Sequence, residues 1–552
     1  MTFLSKKSIL TAFLLITSFT GSRVCAFDDS SDSISSLDEF DEDSFLEATD
    51  QSRACPTPPA PIANLAVELG LDQLLQEDFY LGTYPLNARS LLTLPTFLPL
   101  RSPEACYGWT VGSHLFGNQT SSMFFTRKSS AICSYVGINR PTLLDRLSAI
   151  TIIESLGIKP ERVLPLFKNM TINERRLGLM LHAQRQYERF GLRITAPIYY
   201  FERNFFLTEQ EKTAVEQALG QTTDAEQMDF AKKHLISDKI GLGDTRVVID
   251  YALCPEALVD STAGLFFTVP TAFSFAHGLL GSNFNKPCKP PVLNFIELFD
   301  LIVCEGVQGI EKAKKIGEDF VLGALDNFAG MVLNRPLGNY GHLGIGAQYT
   351  SQTPLHVFVK RPWAEQVTFK SRMSLEYFLP AIEQRFFIQC DPAKAATFAA
   401  AGLDRPKQQI LDEIASNPVY AQSVLDFLQT ELTEKFYPFP FQARVSPGVA
   451  FQWTSKAFYE ANKWGLYVGT DTWVRTGEKI TCIKSHRNGP RNLDSVKAQQ
   501  KFNYQSKVLG GFFYKMARKD KDITLSLNAD NTIISSGIGQ DFTVSLNLEF
   551  NF

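Results

Sequence analysis

The residues able to do chemistry are sparse and poorly grouped. Seven histidines (His114, His182, His234, His277, His342, His356 and His486) are scattered along 552 residues. None stands at metal-ligand spacing from a cysteine, so no metal site and no cofactor is expected. His277 precedes Ser282 in AHGLLGSNF and is read as a loop histidine, not half of a hydrolase. GHLGIG (341–346) lacks the Lys and Ser/Thr of a phosphate loop. No catalytic residue is expected, and the chain is not read as an enzyme. What remains is charge. Arg193, Arg246, Asp250, Lys370, Arg372, Glu376, Asp471 and Arg475 recur at every second position of short segments whose intervening positions are apolar. Charges on one face of a strand suit either a pore lining that selects solutes or a salt-bridged filling of a closed interior.

Those charges need strands to position them. LRITAPIYY (192–200), RVVIDYAL (246–253), HLGIGAQY (342–349), VTFKSRMSLEY (367–377), LYVGTDTWVR (466–475) and VLGGFFYKM (508–516) each repeat with period two. Set at mid-depth against lipid, a cation costs about 2–4 kcal/mol, so the charged face belongs on the side of water. No later run reaches the ~18 apolar residues of a membrane helix. The nearest, VLNFIELFDLIV (292–303), carries Glu297 and Asp300.

The last segment is the clearest. FTVSLNLEFNF (542–552) places Phe542, Val544, Leu546, Leu548, Phe550 and Phe552 on one face, with Thr543, Ser545, Asn547, Glu549 and Asn551 on the other. A terminal aromatic on such a strand resembles the assembly signal of bacterial outer-membrane β-barrel proteins, carried here by Phe542, Leu548, Phe550 and Phe552. That resemblance implies outer-membrane lipid as the solvent and the barrel-assembly machinery as a partner.

The N-terminus agrees. Lys6 and Lys7 precede the apolar run 9–20, and VCA (24–26) offers a cleavage site, so 1–26 reads as a signal peptide. Arg23 beside Cys25 suits a lipidation site poorly. Residues 27–61 read as a linker, first acidic, with ten Asp or Glu and no Lys or Arg between 28 and 50, then Pro-rich. The segment 62–104 holds a short amphipathic helix (62–79) and is able to plug a lumen. Residues 105–552 form the barrel. Eight cysteines follow the signal peptide (Cys55, Cys106, Cys133, Cys254, Cys288, Cys304, Cys390 and Cys482), and export makes disulfides plausible without choosing among 105 pairings. Nothing in the charge distribution points to nucleic acid.

The expected architecture is an all-β, up-and-down antiparallel transmembrane barrel of about 14 strands, with 12 as the alternative. Short connections (188–190, 255–263, 455–462, 519–520) alternate with long ones, and counting back from the last strand puts the short ones in the periplasm. Helical spacing in the long connections predicts α-helical insertions at about 204–242, 273–340 and 379–439. The function expected is a pore or passive transport channel for a small solute. Two alternatives stand beside it. One is a hydrophobic-solute transporter, similar in architecture to the long-chain fatty-acid transporters but without a shared motif. The other is a structural or adhesive surface protein working through helices near 295–333. The His277–Ser282 spacing departs from that of outer-membrane phospholipases, whose His and Ser stand two apart.

Overall fold

The computed structural model describes residues 85–98, 108–121, 171–206, 231–253, 260–280, 329–387, 439–484, 493–518 and 521–551, with isolated positions between them. The strands are β1 (Trp109–Ser121), β2 (Thr171–Tyr187), β3 (Phe190–Phe206), β4 (Ile236–Leu242), β5 (Thr245–Ala252), β6 (Asp260–Val269), β7 (Phe273–His277), β8 (Gly344–Pro354) and β9 (Val367–Phe378). They continue with β10 (Ala381–Phe387), β11 (Phe439–Ser446), β12 (Ala450–Ala461), β13 (Trp464–Arg475), β14 (Lys479–Lys484), β15 (Asn503–Arg518), β16 (Lys521–Ser536) and β17 (Gln540–Asn551).

Twelve of them close a ring in the order β1, β2, β3, β5, β6, β8, β9, β12, β13, β15, β16 and β17, every pair antiparallel. The seam is β1 against β17, running from Thr110 opposite Asn551 to Ser121 opposite Gln540. β4 and β7 are two extra strands. β3 pairs with β5 through 190–195 and with β4 through 198–204, so β4 and β5 form one interrupted line along it. β4 and β7 then pair with each other. The ring therefore has 12 staves, the alternative count and not the expected 14, while β4 and β7 add strands to the sheet without adding staves to the barrel.

The alternation is a two-solvent pattern. On β17, Leu546 is 45 % exposed and its neighbour Asn547 is 2 % exposed. Leu115, Leu179, Ile249, Leu265, Leu375 and Leu527 likewise face out, while Asn118, Arg246, Glu376, Lys456, Asp471 and Asp530 are buried inside. Exposed Trp109, Tyr187, Phe190 and Trp464 cluster at one end of the ring, where the strand termini meet a headgroup layer. At that end the connections are short. β2 turns to β3 through Glu188 and Arg189, and β12 to β13 through Asn462 and Lys463, with Glu188 (φ 50°) and Asn462 (φ 23°) supplying the positive φ that two-residue hairpins demand. β12 runs on to Ala461, so 455–462 is mostly strand and not the expected connection. Likewise 260–263 belongs to β6. The opposite end carries the long connections, apart from the three-residue turn between β16 and β17, where Gly537 (φ 70°) takes the left-handed conformation.

The long connections differ from expectation. Among the described residues helix is scarce: a π-type turn at Ala231–Leu235 and a helical stretch at 329–333, with isolated helical positions near 312–326 and 409–420. The helical insertions expected at 204–242, 273–340 and 379–439 are not supported, and most of each range lies outside the described residues. Where these connections are described, they hold strand as well as helical positions. β4 and β7 prolong the wall, and β10, β11 and β14 form a separate three-stranded sheet with its own core of Phe387, Phe441, Ala443, Val445 and Ala498. The signal peptide (1–26), the linker (27–61), the helix expected at 62–79, residues 295–311, Ser282, Phe552 and every cysteine except Cys482 lie outside the described residues.

Candidate functional site

The site is the barrel interior, and its central feature is residues 85–98. This segment has two short 3-10 turns, Leu91–Thr93 and Pro95–Phe97, and no strand partner. Its carbonyls therefore need donors from elsewhere, because an unpaired buried carbonyl is costly. The surroundings supply them. Arg203 donates to Leu86 O (2.9 Å), Arg335 to Ala88 O (3.1 Å), Arg176 to Arg89 O (2.7 Å), Arg246 to Leu92 O (3.1 Å), Gln452 to Thr93 O (2.9 Å) and Lys456 to Pro95 O (3.2 Å).

Side chains of the segment answer in kind. Arg89 donates to Asp471 (2.5 Å) and Gln505 (3.3 Å), and the Thr96 hydroxyl donates to Asp530. Asp471 also accepts from Gln452 (2.8 Å) and Thr454 (2.5 Å). Beside it Lys507 bridges Asp530 (2.8 Å) and Asp541. The opposite flank is apolar: Leu91, Leu92, Leu94 and Phe97 pack with Phe116, Met180, Tyr199 and Phe201 of β1 to β3. The side chains of the segment thus face two unlike walls, carboxylates and amides on β12 to β17 and an apolar cluster on β1 to β3, while arginines of β2, β3 and β5 reach its carbonyls.

Depth can be read from the partners. Leu86 and Ala88 bond Arg203, three residues from the end of β3, and Arg335 in the β7–β8 connection. Thr93 bonds Gln452, two residues into β12, and Pro95 bonds Lys456, halfway along it. Phe97 meets the His114 ring at 5.6 Å, five residues from the short-turn end of β1. Residues 86–97 therefore run from the long-connection end past mid-barrel.

The eight charged residues expected on the lumen face are placed as follows. Arg246 (β5) bonds Glu376 (β9) at 2.6 Å, and Thr268 donates to the same carboxylate (2.5 Å). Asp471 (β13) holds Arg89. Arg475 (β13) lies over the Phe378 ring at 5.8 Å. Arg372 (β9) donates to Gln348 (2.6 Å), which donates to Asp250 (β5) at 2.5 Å. Arg193 (β3) and Lys370 (β9) make no hydrogen bond or ion pair among the described residues. A further knot at the long-connection end joins Glu174 to Arg203 (2.6 Å), Arg176 (2.8 Å) and Arg335 (3.5 Å).

Several of these residues escaped the sequence reading. Arg89 sits in an apolar stretch, and Glu174, Arg176, Gln452, Lys456, Lys507, Asp530 and Asp541 lie on β2, β12, β15, β16 and β17. On β12 and β16 the alternation was there to read: Gln452, Thr454 and Lys456 occupy one face, as do Ser526, Asn528 and Asp530. His277 closes β7, and His342 lies just before β8, bonded to Leu379 O (2.8 Å) and Glu383. Among the described residues no cluster of His, Cys, Asp or Glu could hold a metal ion.

A closed antiparallel ring that is apolar outside and polar inside defines the class: this is a β-barrel of the membrane-spanning kind. No protein-family model and no curated protein matches the sequence. Among solved structures the chain is similar to an outer membrane channel from Pseudomonas putida F1, with 9 % identity over 82 % of this chain and 99 % of that one and a TM-score of 0.38. It is also similar to the transport unit of the autotransporter AIDA-I from Escherichia coli (7 %, 84 % and 95 %, TM-score 0.33). A third is the CymD monoaromatic hydrocarbon channel (7 %, 80 % and 88 %, TM-score 0.26).

Proposed function

We propose that this protein is a non-enzymatic solute channel of the bacterial outer membrane whose lumen is closed by its own residues 85–98. One observation carries the reading: the segment is bonded to strands around the ring, on β2, β3, β5, β12, β13, β15 and β16. A polar interior wide enough to accept a peptide segment accepts a small solute once that segment is displaced. In this reading the signal peptide exports the chain, and the C-terminal strand, with Phe542, Leu548, Phe550 and Phe552, is read by the assembly machinery. The outward apolar face is solvated by lipid. Planar-bilayer recording tests it. Full-length protein shows rare, small openings, and removal of 85–98 gives large steady steps. A folded barrel that stays silent after the deletion defeats the channel reading.

A second reading, transport of hydrophobic solutes, is favoured by the apolar wall of Phe116, Met180, Tyr199 and Phe201 inside the lumen. It predicts that a fluorescent fatty acid binds the deletion variant and that Met180→Lys abolishes the binding.

A further inference from the structure

A cavity lies inside the ring toward the long-connection end. It is bounded by residues 87–93 of the inner segment, by strands from β2 to β15, and by the connection 335–339 ahead of β8. About 70 Å³ of it is open to the centres of water molecules, and one water needs about 10–15 Å³, so it holds about five. Empty cavities in proteins are apolar, and polar ones are occupied. This lining is polar, and its hydrogen bonding is unfinished. Asn87 Oδ1, Asp244 Oδ1 and Asn503 Oδ1 are buried acceptors with no donor in the protein. Arg176 Nη2, Asn339 Nδ2 and Gln500 Nε2 are buried donors with no acceptor. Asn87, Asp244, Asn503, Arg176 and Gln500 are each more than nine-tenths buried. Other polar atoms of the same side chains are committed. Asp244 Oδ2 accepts from Asn339 N (2.6 Å), Asn87 Nδ2 donates to Gln500 Oε1 (2.9 Å), and Arg176 Nη1 donates to Arg89 O (2.7 Å). Charge in the lining is already matched. Arg89 pairs with Asp471, Arg176 and Arg335 with Glu174, and Arg246 with Glu376. Arg475 has Glu478 and Glu383 near it, and Asp244 has Arg246. The cavity lacks hydrogen-bond partners of both kinds, not a counter-ion.

We infer that this cavity is a binding site for a neutral, polyhydroxylated solute the size of a single sugar ring. A hydroxyl both donates and accepts, so one molecule bearing several of them serves the free acceptors and the free donors together. An inorganic anion leaves the three acceptors unmet, and a metal cation leaves the three donors unmet. A zwitterion answers Asp244 and Arg176 but not the four amides. The rings of Tyr199, Phe378 and Trp473 line the same space, the mixture of aromatic surface and a few placed polar groups that orients a small ligand. Asn87 belongs to the inner segment, while Asp244, Asn339 and Gln500 belong to the surrounding barrel. A ligand touching both binds the docked segment and stabilises it there. This inference deepens the channel reading by naming a solute class, and rests on that reading only for passage through the lumen, since binding does not require current to flow.

The test is ligand-detected saturation-transfer NMR of glucose, galactose and ribose with the full-length protein, folded in a detergent that has no sugar headgroup. Each variant is first checked for its fast-migrating unheated band on a gel. Saturable transfer to at least one of the sugars is expected. Asp244→Asn puts a donor in place of the free acceptor at equal volume, and Gln500→Met removes the free donor. Each should weaken binding about tenfold or more, because a site built to hydrogen-bond hydroxyls is left with unpaired groups. Asn547→Ala, outside the cavity lining, leaves binding unchanged. The bound sugar should also slow proteolytic cleavage within 85–98 in the wild type and not in Asp244→Asn. Absence of saturable transfer to all three sugars overturns the inference, as does binding that both cavity variants leave intact. Saturable binding of glycine or inorganic phosphate without sugar binding also overturns it, in favour of a charged solute. Bilayer recording separates the two readings. Current without sugar binding keeps the channel and removes the site. Asp244-dependent sugar binding without current keeps the site and removes the channel.

Discussion

Arg89 Nη1 of the inner segment lies 2.5 Å from the Asp471 carboxylate of β13, and neither side chain has any solvent exposure. The two are 382 residues apart in sequence. Removing one partner of such a pair strands the other in a desolvated site at a cost of about 3–5 kcal/mol. Arg89→Ala should therefore release the segment while leaving the ring assembled, with channel openings becoming more frequent in bilayer recordings. Arg89→Ala combined with Asp471→Asn should open less than Arg89→Ala alone, because the amide no longer carries an unpaired charge. Equal behaviour of the single and double variants would count against the pair as the latch.

The apolar flank is a second, independent latch. Phe97 meets Phe116 edge-on, with ring centroids 5.1 Å apart. Phe97→Ala leaves a void against β1 and β2 and should cost about 3–5 kcal/mol of docking. The expected readout is faster proteolytic cleavage within 85–98 in the folded barrel. A cleavage rate equal to wild type would show that the polar bonds alone hold the segment.

Lipid-facing positions obey a different rule. Leu546 points outward near the middle of β17, while the adjacent Asn547 points inward. Leu546→Arg should lower barrel stability by about 2–4 kcal/mol, whereas Asn547→Ala should perturb only the lumen. Urea unfolding in lipid vesicles distinguishes them. Equal destabilisation by the two substitutions would place β17 outside the bilayer.

The three-stranded sheet carries an acid-sensitive joint. Burial pushes the Glu383 carboxyl up, but the Arg385 guanidinium (3.0 Å) and the hydrogen bond from His342 outweigh it and hold it below the usual carboxylate range. Arg385 also bonds Glu478, which fastens β10 to the segment leading into β14. A depressed carboxylate contributes stability that is complete above its unfolded pKa and is lost as pH falls through the lower folded value. Hydrogen exchange of β10, β11 and β14 should accelerate on acidification below about pH 4. In Glu383→Gln it should already be fast at neutral pH and change little with acid. Pace-for-pace opening of the ring strands would argue against a local joint.

Much of the ring was legible from local pattern. β3, β5, β8, β9, β13, β15 and β17 declare themselves because the side-chain period of a strand is two and each wall faces two solvents, so residues such as Leu548 and Asn547 sort themselves without reference to any partner. The separation of short from long connections was readable in the same way. The ends of strands were less so: Lys456 and Tyr459 looked like connection because β12 mixes charge and aromatics near the headgroup layer.

What the sequence by itself determined is which face of each strand meets lipid and which meets the interior, since that follows from alternation alone. The tertiary structure decided how many strands close the ring, because closure depends on register, and an interrupted line such as β4 and β5 cannot be told locally from two staves. It also decided what fills the interior. Arg89 reads as one cation in an apolar run until the fold sets Asp471 against it, and Lys370 reads as one wall charge among many until register sets Lys456 opposite. Long-range pairing of this kind has no local periodicity, because each partner's identity is set by barrel closure and not by its neighbours in the chain.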